Sequence, residues 1–173
     1  MSRSPGVSRV PAFGLASALA LLAAACGSPV PPLASTHPSA SALANAVLTG
    51  FERRDVAALR SLTVNEPEFR DHVWPELPSA RPERNLPFSY VWGDLRQKSE
   101  AALSRTLAAH GGQRFELVAV HFRGETTQYN TYLVHRKTEL TVKGAAGTDL
   151  RLRLFGSTIE KDGRFKVFSY VVD

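Results

Sequence analysis

Apolar residues form three patterns along the chain. They run almost without interruption from Val10 to Ala25, recur at spacings of three and four between residues 39 and 110, and alternate with polar residues after Gly112. The first pattern is typical of an export signal, the second of amphipathic helices and the third of strands. The order predicts helices first and a sheet after them.

Two helices are predicted close together. The first covers residues 39–53, where four apolar residues share one face, and Asp55 is placed to cap the second by accepting hydrogen bonds from free backbone amides. The apolar residues of these helices are Leu43, Val47, Leu48 and Phe51 in the first and Val56, Leu59 and Leu62 in the second.

A third helix is predicted over residues 94–110, with Asp94 as its cap and Gly111-Gly112 as its stop. Between the second and third helices, five prolines forbid a long continuous helix, although residues 68–74 could form a short helical piece. These prolines are Pro67, Pro75, Pro78, Pro82 and Pro87.

Four consecutive strands are predicted after Gly112, separated by turn signals rich in glycine. Leu150, Leu152 and Leu154 alternate with two arginines, which indicates a strand with one packed face and one wet face. Gly156 predicts a bulge or bend that would curl the sheet. The predicted strands are residues 115–122, 129–143, 149–159 and 165–172.

The amino end is typical of a lipoprotein precursor. Arg3 and Arg9 precede the apolar run, and Leu22-Ala23-Ala24-Ala25-Cys26 resembles the lipobox of bacterial lipoproteins. The resemblance implies cleavage before Cys26 and acylation of its sulfur, with palmitate as a suitable label. It also implies a lipid-anchored protein of the cell envelope, on the periplasmic side of the outer membrane where two membranes are present. Gly27 follows the cysteine, where aspartate would tend to retain such proteins in the inner membrane.

Three segments are therefore expected. Residues 1–25 form the signal peptide, residues 26–40 a lipidated cysteine with a proline-rich linker, and residues 41–173 one globular domain. The net charge of +5 includes Arg3 and Arg9, so the chain beyond the signal keeps +3. An excess this small on an exported protein does not favour a nucleic-acid partner.

Helices followed by an antiparallel sheet make an α+β domain. The segment 47–62, where one helix ends and a second begins, and the terminal strand ending Phe168-Ser169-Tyr170-Val171-Val172-Asp173 resemble the SnoaL-like, or cystatin-like, family. The resemblance implies a cone-shaped roll, in which N-terminal helices pack on a curved four-stranded antiparallel sheet. It further implies a cavity used for catalysis, ligand binding or dimerisation.

Few residues stand out as candidates for chemistry. The histidines have no spacing typical of a metal site or a catalytic dyad, although His121 and His135, on adjacent predicted strands, could face each other. The aromatic residues could line a pocket, or they could be core residues. The candidate pocket residues are His72, Trp74, Tyr90, Trp92, His121, Tyr132 and His135, and Cys26 is the lipid-attachment residue. No metal ligand set, cofactor motif or catalytic residue is assigned.

Three functions stay open from the sequence. The first is a non-enzymatic envelope protein, anchored to the membrane through its lipid, that binds a protein or a small apolar ligand. The second is a small SnoaL-like enzyme that uses His72 or His121 as an acid–base group in an aromatic pocket. The third is a structural module that forms a homodimer. Cavity geometry separates them, because fold alone does not determine function.

Overall fold

A computed structural model describes residues 30–172 of the chain; the predicted signal peptide and Cys26 lie outside this range. Four α-helices precede seven strands, so the predicted α+β class is confirmed. Within the described residues, no helix combines the length and apolarity needed to cross a membrane. The helices are α1 (Ala40–Arg53), α2 (Val56–Ser61), α3 (Glu66–Glu68) and α4 (Phe88–His110).

Local caps explain where the first three helices begin. Ser39 caps α1 through the amide of Ala42. Asp55 caps α2 through the amide of Ala58, as predicted. Asn65 and Glu68 form a capping box on α3, each side chain accepting from the other residue's backbone amide. The helical path then widens into a π-turn over Phe69–Val73, which together with α3 covers the predicted short helical piece.

Prolines shape the segment before α4. Three short 3₁₀ helices, Trp74–Glu76, Pro78–Ala80 and Pro82–Arg84, each have proline in the first two positions, and α4 starts directly after Pro87. The helix α4 is therefore longer than predicted, and Asp94 lies inside it, where its carboxylate pairs with Lys98 Nζ at 2.8 Å. An extended residue before the helix is sufficient for the start, so no side-chain cap is needed there.

Seven strands replace the four predicted ones. Two of the predicted long strands are each interrupted once, at Lys137, whose φ is +53°, and around Gly156. The bend predicted at Gly156 thus coincides with a break between strands. The seventh strand, Thr126–Gln128, lies between the first two predicted strands and was not predicted. The strands are β1 (Glu116–Phe122), β2 (Thr126–Gln128), β3 (Leu133–Arg136), β4 (Thr138–Lys143), β5 (Asp149–Leu152), β6 (Ser157–Lys161) and β7 (Arg164–Ser169).

The strands form two antiparallel sheets, one in the order β1-β4-β5 and the other in the order β2-β3-β6-β7. Two hydrophobic clusters fill the space against the helices. One joins α1, α2 and α4 to β4 and β7, and the other joins the π-turn to β3 and β6. Tyr170 connects the first cluster to two helices, since its hydroxyl donates to Leu59 O and its amide to Ser99 Oγ.

The second half of the predicted linker lies along the domain. Residues 31–37, here called the entry segment, bury Leu33 in the second cluster and pair His37 with Phe165 through two backbone hydrogen bonds. Val64 N also donates to Val167 O. The entry segment and the residues that follow α2 therefore both cover the outer edge of β7. Covering an edge strand in this way prevents it from pairing with other chains.

Candidate functional site

A groove of about 440 Å³ lies between α4 and the sheet that contains β3, β6 and β7. We call it the main groove. Its α4 side is formed by Val91, Asp94, Leu95 and Lys98, and its sheet side includes Tyr132, Val134, Arg136, Phe168 and Val171. Its volume is in the range typical of small-molecule sites, and most of its lining residues are apolar.

Strand periodicity builds the sheet side of the main groove. Tyr132, Val134 and Arg136 stand two residues apart, and alternate residues of a strand share one face. Phe168 reaches the groove differently. The register between β6 and β7 shifts between Ser157 and Thr158, whose partners are Ser169 and Val167, so Phe168 is the extra residue of a β-bulge. A bulge redirects a side chain, and here it gives Phe168 to the groove.

Tyr132 has its polar end satisfied inside the protein. It is buried, its hydroxyl donates to Val73 O at 3.3 Å, and its ring stacks on Tyr129 with centroids 4.6 Å apart. Burial, aided by the nearby Tyr129 and Glu76, raises the pKa of Tyr132, which keeps the hydroxyl neutral. Tyr132 therefore contributes a rigid aromatic surface to the groove.

A second cavity of about 250 Å³ lies on the other side of Phe168, which lines both spaces together with Leu95. Trp92 lines this second cavity and packs on Phe69 with centroids 5.2 Å apart. At its margin Arg60 donates to both oxygens of the Glu100 carboxylate. This exposed ion pair involves two of the four charged residues that line the cavity, the others being Glu66 and Arg96.

His135 makes a hydroxyl–imidazole–carboxylate chain across three strands. Its Nε2 donates to Glu160 Oε2 at 2.8 Å, and its Nδ1 is hydrogen-bonded to the hydroxyl of Thr126 at 3.0 Å. This order of groups is found in nucleophilic triads. However, the imidazole is stacked on Phe122 at 4.2 Å, and neither Thr126 nor His135 lines either cavity. The chain of hydrogen bonds ties β2, β3 and β6 together on the face away from the main groove.

The other histidines lie apart from both cavities. His72 Nε2 donates to Pro31 O at 2.7 Å, so its ring fixes the start of the entry segment. His121 lies on β1 opposite Glu139, whereas His135 lies opposite Thr126 and Thr158 in the other sheet. The facing arrangement considered for His121 and His135 is therefore not formed. Within residues 30–172, no cluster of three or more His, Cys, Asp or Glu could hold a metal ion.

Two of the seven candidate pocket residues line these cavities, Tyr132 the main groove and Trp92 the second cavity. Trp74 packs edge-on against Phe88 in the second cluster, and Tyr90 is exposed at 65%. Arg136, Phe168 and Val171 line the main groove but were not among the candidate pocket residues. The sequence did contain a signal for Arg136, because it follows Tyr132 and Val134 at intervals of two residues and so shares their face of the strand.

No protein-family model, curated protein or solved structure matches this chain. Its own side chains must therefore indicate its function.

The titratable residues among those described along the main groove are Asp94, Lys98, Tyr129, Tyr132 and Arg136. Histidine and cysteine are absent from that set, and the groove presents an apolar surface with a few charges.

Proposed function

We propose that this chain is a lipid-anchored, non-enzymatic binding protein of the bacterial cell envelope, and that the main groove holds a small ligand with an apolar body. The observation that carries the proposal is the groove itself. It is about 440 Å³ in volume, it is bounded by Val91, Leu95, Val134 and Phe168, and no histidine lines it. A concave apolar space with few polar groups is the usual form of a ligand site.

The roll architecture belongs to this proposal. We infer that the two sheets are one strongly bent sheet of SnoaL-like form that curls around the groove. The support is continuity: β3 and β4 are separated only by Lys137, and Thr138 N donates to Gly156 O where both long strands change direction. Sharp bends in strands require a residue in the left-handed backbone conformation, here Lys137, and a glycine, here Gly156.

Anchoring follows from the sequence, with cleavage before Cys26 and acylation of its sulfur. Pro31 already accepts a hydrogen bond from His72, so we infer that the tether between the lipidated cysteine and the domain is no longer than residues 27–30. At about 3.1 Å per residue, such a tether reaches roughly 12 Å, so the domain would stay close to the bilayer. A groove near a membrane is well placed for ligands that partition into lipid.

Metabolic labelling with radioactive palmitate tests the anchor. We expect label in the wild-type protein and none in Cys26→Ala, with Ser28→Ala as a matched control that keeps the label. Equal labelling of wild type and Cys26→Ala would exclude acylation at this residue.

Native mass spectrometry of the protein purified from membranes tests the groove. We expect a co-purifying small molecule in wild type and its loss in Val91→Trp, because an indole there would fill the groove. Ala101→Trp adds the same indole at an exposed position of α4 that lines neither cavity, and it should retain the molecule. A protein without any bound molecule, found only as a dimer, would instead favour the homodimeric structural module.

A further inference from the structure

The main groove continues past Arg136 into a smaller cavity of about 110 Å³. The two spaces share Val134, Arg136, Ser157, Phe168 and Val171 as lining residues. They therefore form one elongated depression with Arg136 at the point where they meet. A single ligand could occupy both parts.

The charges along this depression are predominantly positive. Lys98 and Arg136 line the main groove, and Lys137 and Arg153 line the smaller cavity together with Arg136. The only carboxylate among the described lining residues is Asp94, and Lys98 already pairs with it at 2.8 Å. A net positive lining remains.

Arg136 and Lys137 are the cations best placed to meet a ligand. Among residues 30–172, neither side chain takes part in an ion pair, although Arg60, Arg70 and Arg123 each have a carboxylate partner. Arg136 is exposed, so its guanidinium keeps its donors available to a group entering from solvent. Guanidinium binds carboxylates and phosphates through paired, charge-assisted hydrogen bonds.

Apolar surface extends away from Arg136 along the main groove. Val134, Val171 and Phe168 lie beside Arg136. Leu95 and Val91 of α4, and Leu77 in the proline-rich segment between α3 and α4, continue the apolar surface. An apolar chain laid there would leave water, while a charged head at Arg136 would remain partly hydrated. The chemistry of the site is thus divided between one cationic position and an apolar trough.

We propose that the main groove binds an anionic amphiphile, with its acidic head group at Arg136 and Lys137 and its apolar chain along Phe168 and Leu95. This inference rests on the proposed binding function and specifies the class of ligand. The shared chemistry is an anionic head on a single aliphatic chain, and a carboxylate or a phosphate would both satisfy it. Neutral and cationic amphiphiles lack the partner that Arg136 requires.

Photo-crosslinking of the full-length protein in membranes tests the inference with matched probes. Four C12 chains carrying the same diazirine would be used, ending in carboxylate, phosphate, hydroxyl or trimethylammonium. For each probe, the labelling of peptides that contain Val134 and Phe168 would be divided by the labelling of the α1 peptide. This ratio corrects for unequal partitioning of the probes into the bilayer. We expect about tenfold greater relative labelling by an anionic probe than by the other two.

Two variants make the result specific. Arg136→Gln should lower groove labelling by the anionic probes about tenfold and leave the hydroxyl probe unchanged, whereas Arg151→Gln, an exposed cation on β5 outside these cavities, should change neither. Equal labelling by all four probes would overturn the anionic assignment and retain the binding groove. Absence of groove labelling by every probe would overturn both. The ratio of carboxylate to phosphate labelling identifies the preferred head group.

Discussion

The ammonium of Lys166 lies 2.8 Å from the carboxylate of Glu68, and the two side chains are only 1% and 7% exposed. The same carboxylate accepts from the amides of Ala34 and Asn65, and the ammonium also donates to Ala34 O. One buried ion pair therefore joins β7, the capping box of α3 and the entry segment. Satisfied hydrogen bonds on both charges are what make such a pair tolerable in a protein interior.

Lys166→Met should destabilise the protein by about 3–5 kcal/mol, because it leaves the buried Glu68 carboxylate without its counter-charge. Urea unfolding followed by circular dichroism measures the change. Adding Glu68→Gln to this variant should recover part of the loss, because the amide is neutral and its oxygen can still accept from a backbone amide.

The exposed ion pair between Arg60 and Glu100 provides the comparison. Arg60→Gln should cost no more than about 1 kcal/mol, since both side chains are substantially exposed to water. Equal losses for Lys166→Met and Arg60→Gln would contradict the account of Lys166 as a buried structural charge.

Gly156 can be tested against a second glycine of the same chain. A Cβ at Gly156 would lie 1.5 Å from Val171 O, so Gly156→Ala must displace the backbone of the C-terminal segment. We expect a loss of at least about 3 kcal/mol in the free energy of unfolding. Because Val171 lines the main groove, binding of its ligand should weaken as well.

Gly93→Ala is the matched substitution. Gly93 lies within α4, and no atom comes within 4 Å of the added Cβ. Alanine is the better helix former, so this change should stabilise the protein by about 1 kcal/mol. A thermal denaturation series of the two variants would show opposite shifts in Tm, and a similar shift for both would refute the steric argument.

Sequence patterns predicted the helices and the class of fold because they depend on local rules. The apolar spacing in α1 and the cap at Asp55 act within one turn of helix, and the glycines and prolines that end elements act through their own backbone. The break at Lys137 was missed because a lysine with positive φ carries no local signal. Its conformation is imposed by the bend between two paired strands.

The main groove was harder to predict because it depends on tertiary contacts. Trp92 and Tyr132 were candidate pocket residues from residue type alone, and so were Trp74 and Tyr90, which line neither cavity. Residue type does not distinguish an aromatic core residue from an aromatic pocket residue. Phe168 reaches the groove through a register shift between β6 and β7, which no pattern within β7 reveals.

Glu76 ties the loop between β2 and β3 to the proline-rich segment. Its carboxylate accepts from Asn130 N at 2.6 Å and from Thr131 Oγ1 at 2.6 Å. Desolvation opposes ionisation, but the hydrogen bonds from Thr131 and Asn130 and the charge of Lys161 outweigh it and lower the pKa of Glu76. The ionised Glu76 carboxylate thus stabilises the folded protein above pH 4.5, the pKa of this group in the unfolded chain. This stabilisation is lost as the pH falls through the lower pKa of Glu76 in the folded protein.

Amide exchange of Asn130, corrected for its intrinsic pH dependence, should report this loss. We expect protection to fall severalfold between pH 6 and pH 3 in wild type and to be low at both pH values in Glu76→Gln. Glu83→Gln, at an exposed position in the same proline-rich segment, should behave as wild type. Protection of Asn130 that is unchanged in Glu76→Gln would show that the carboxylate does not hold the loop.

We expect His37 to make the entry segment sensitive to mild acid. Burial and the neighbouring positive charge of Arg164 lower the pKa of His37 below its usual 6.5. Because the pKa of His37 is lower in the folded protein, neutral His37 contributes its full stabilisation above pH 6.5. This stabilisation is lost as the pH falls through the pKa of His37 in the folded protein. Protonation places a second cation beside Arg164, whose guanidinium holds Thr36, and so favours release of the segment.

The backbone amides of His37 and Phe165 donate to each other's carbonyl oxygens and therefore report release directly. Their protection from exchange should fall severalfold between pH 7 and pH 5 in wild type and change little in His37→Gln, which stays neutral over this range. His110→Gln, at the end of α4, should keep the wild-type response. A response that persists in His37→Gln would assign the acid sensitivity to another group. A flat wild-type profile would mean that acidification to pH 5 does not release the segment, which would contradict the role assigned to His37.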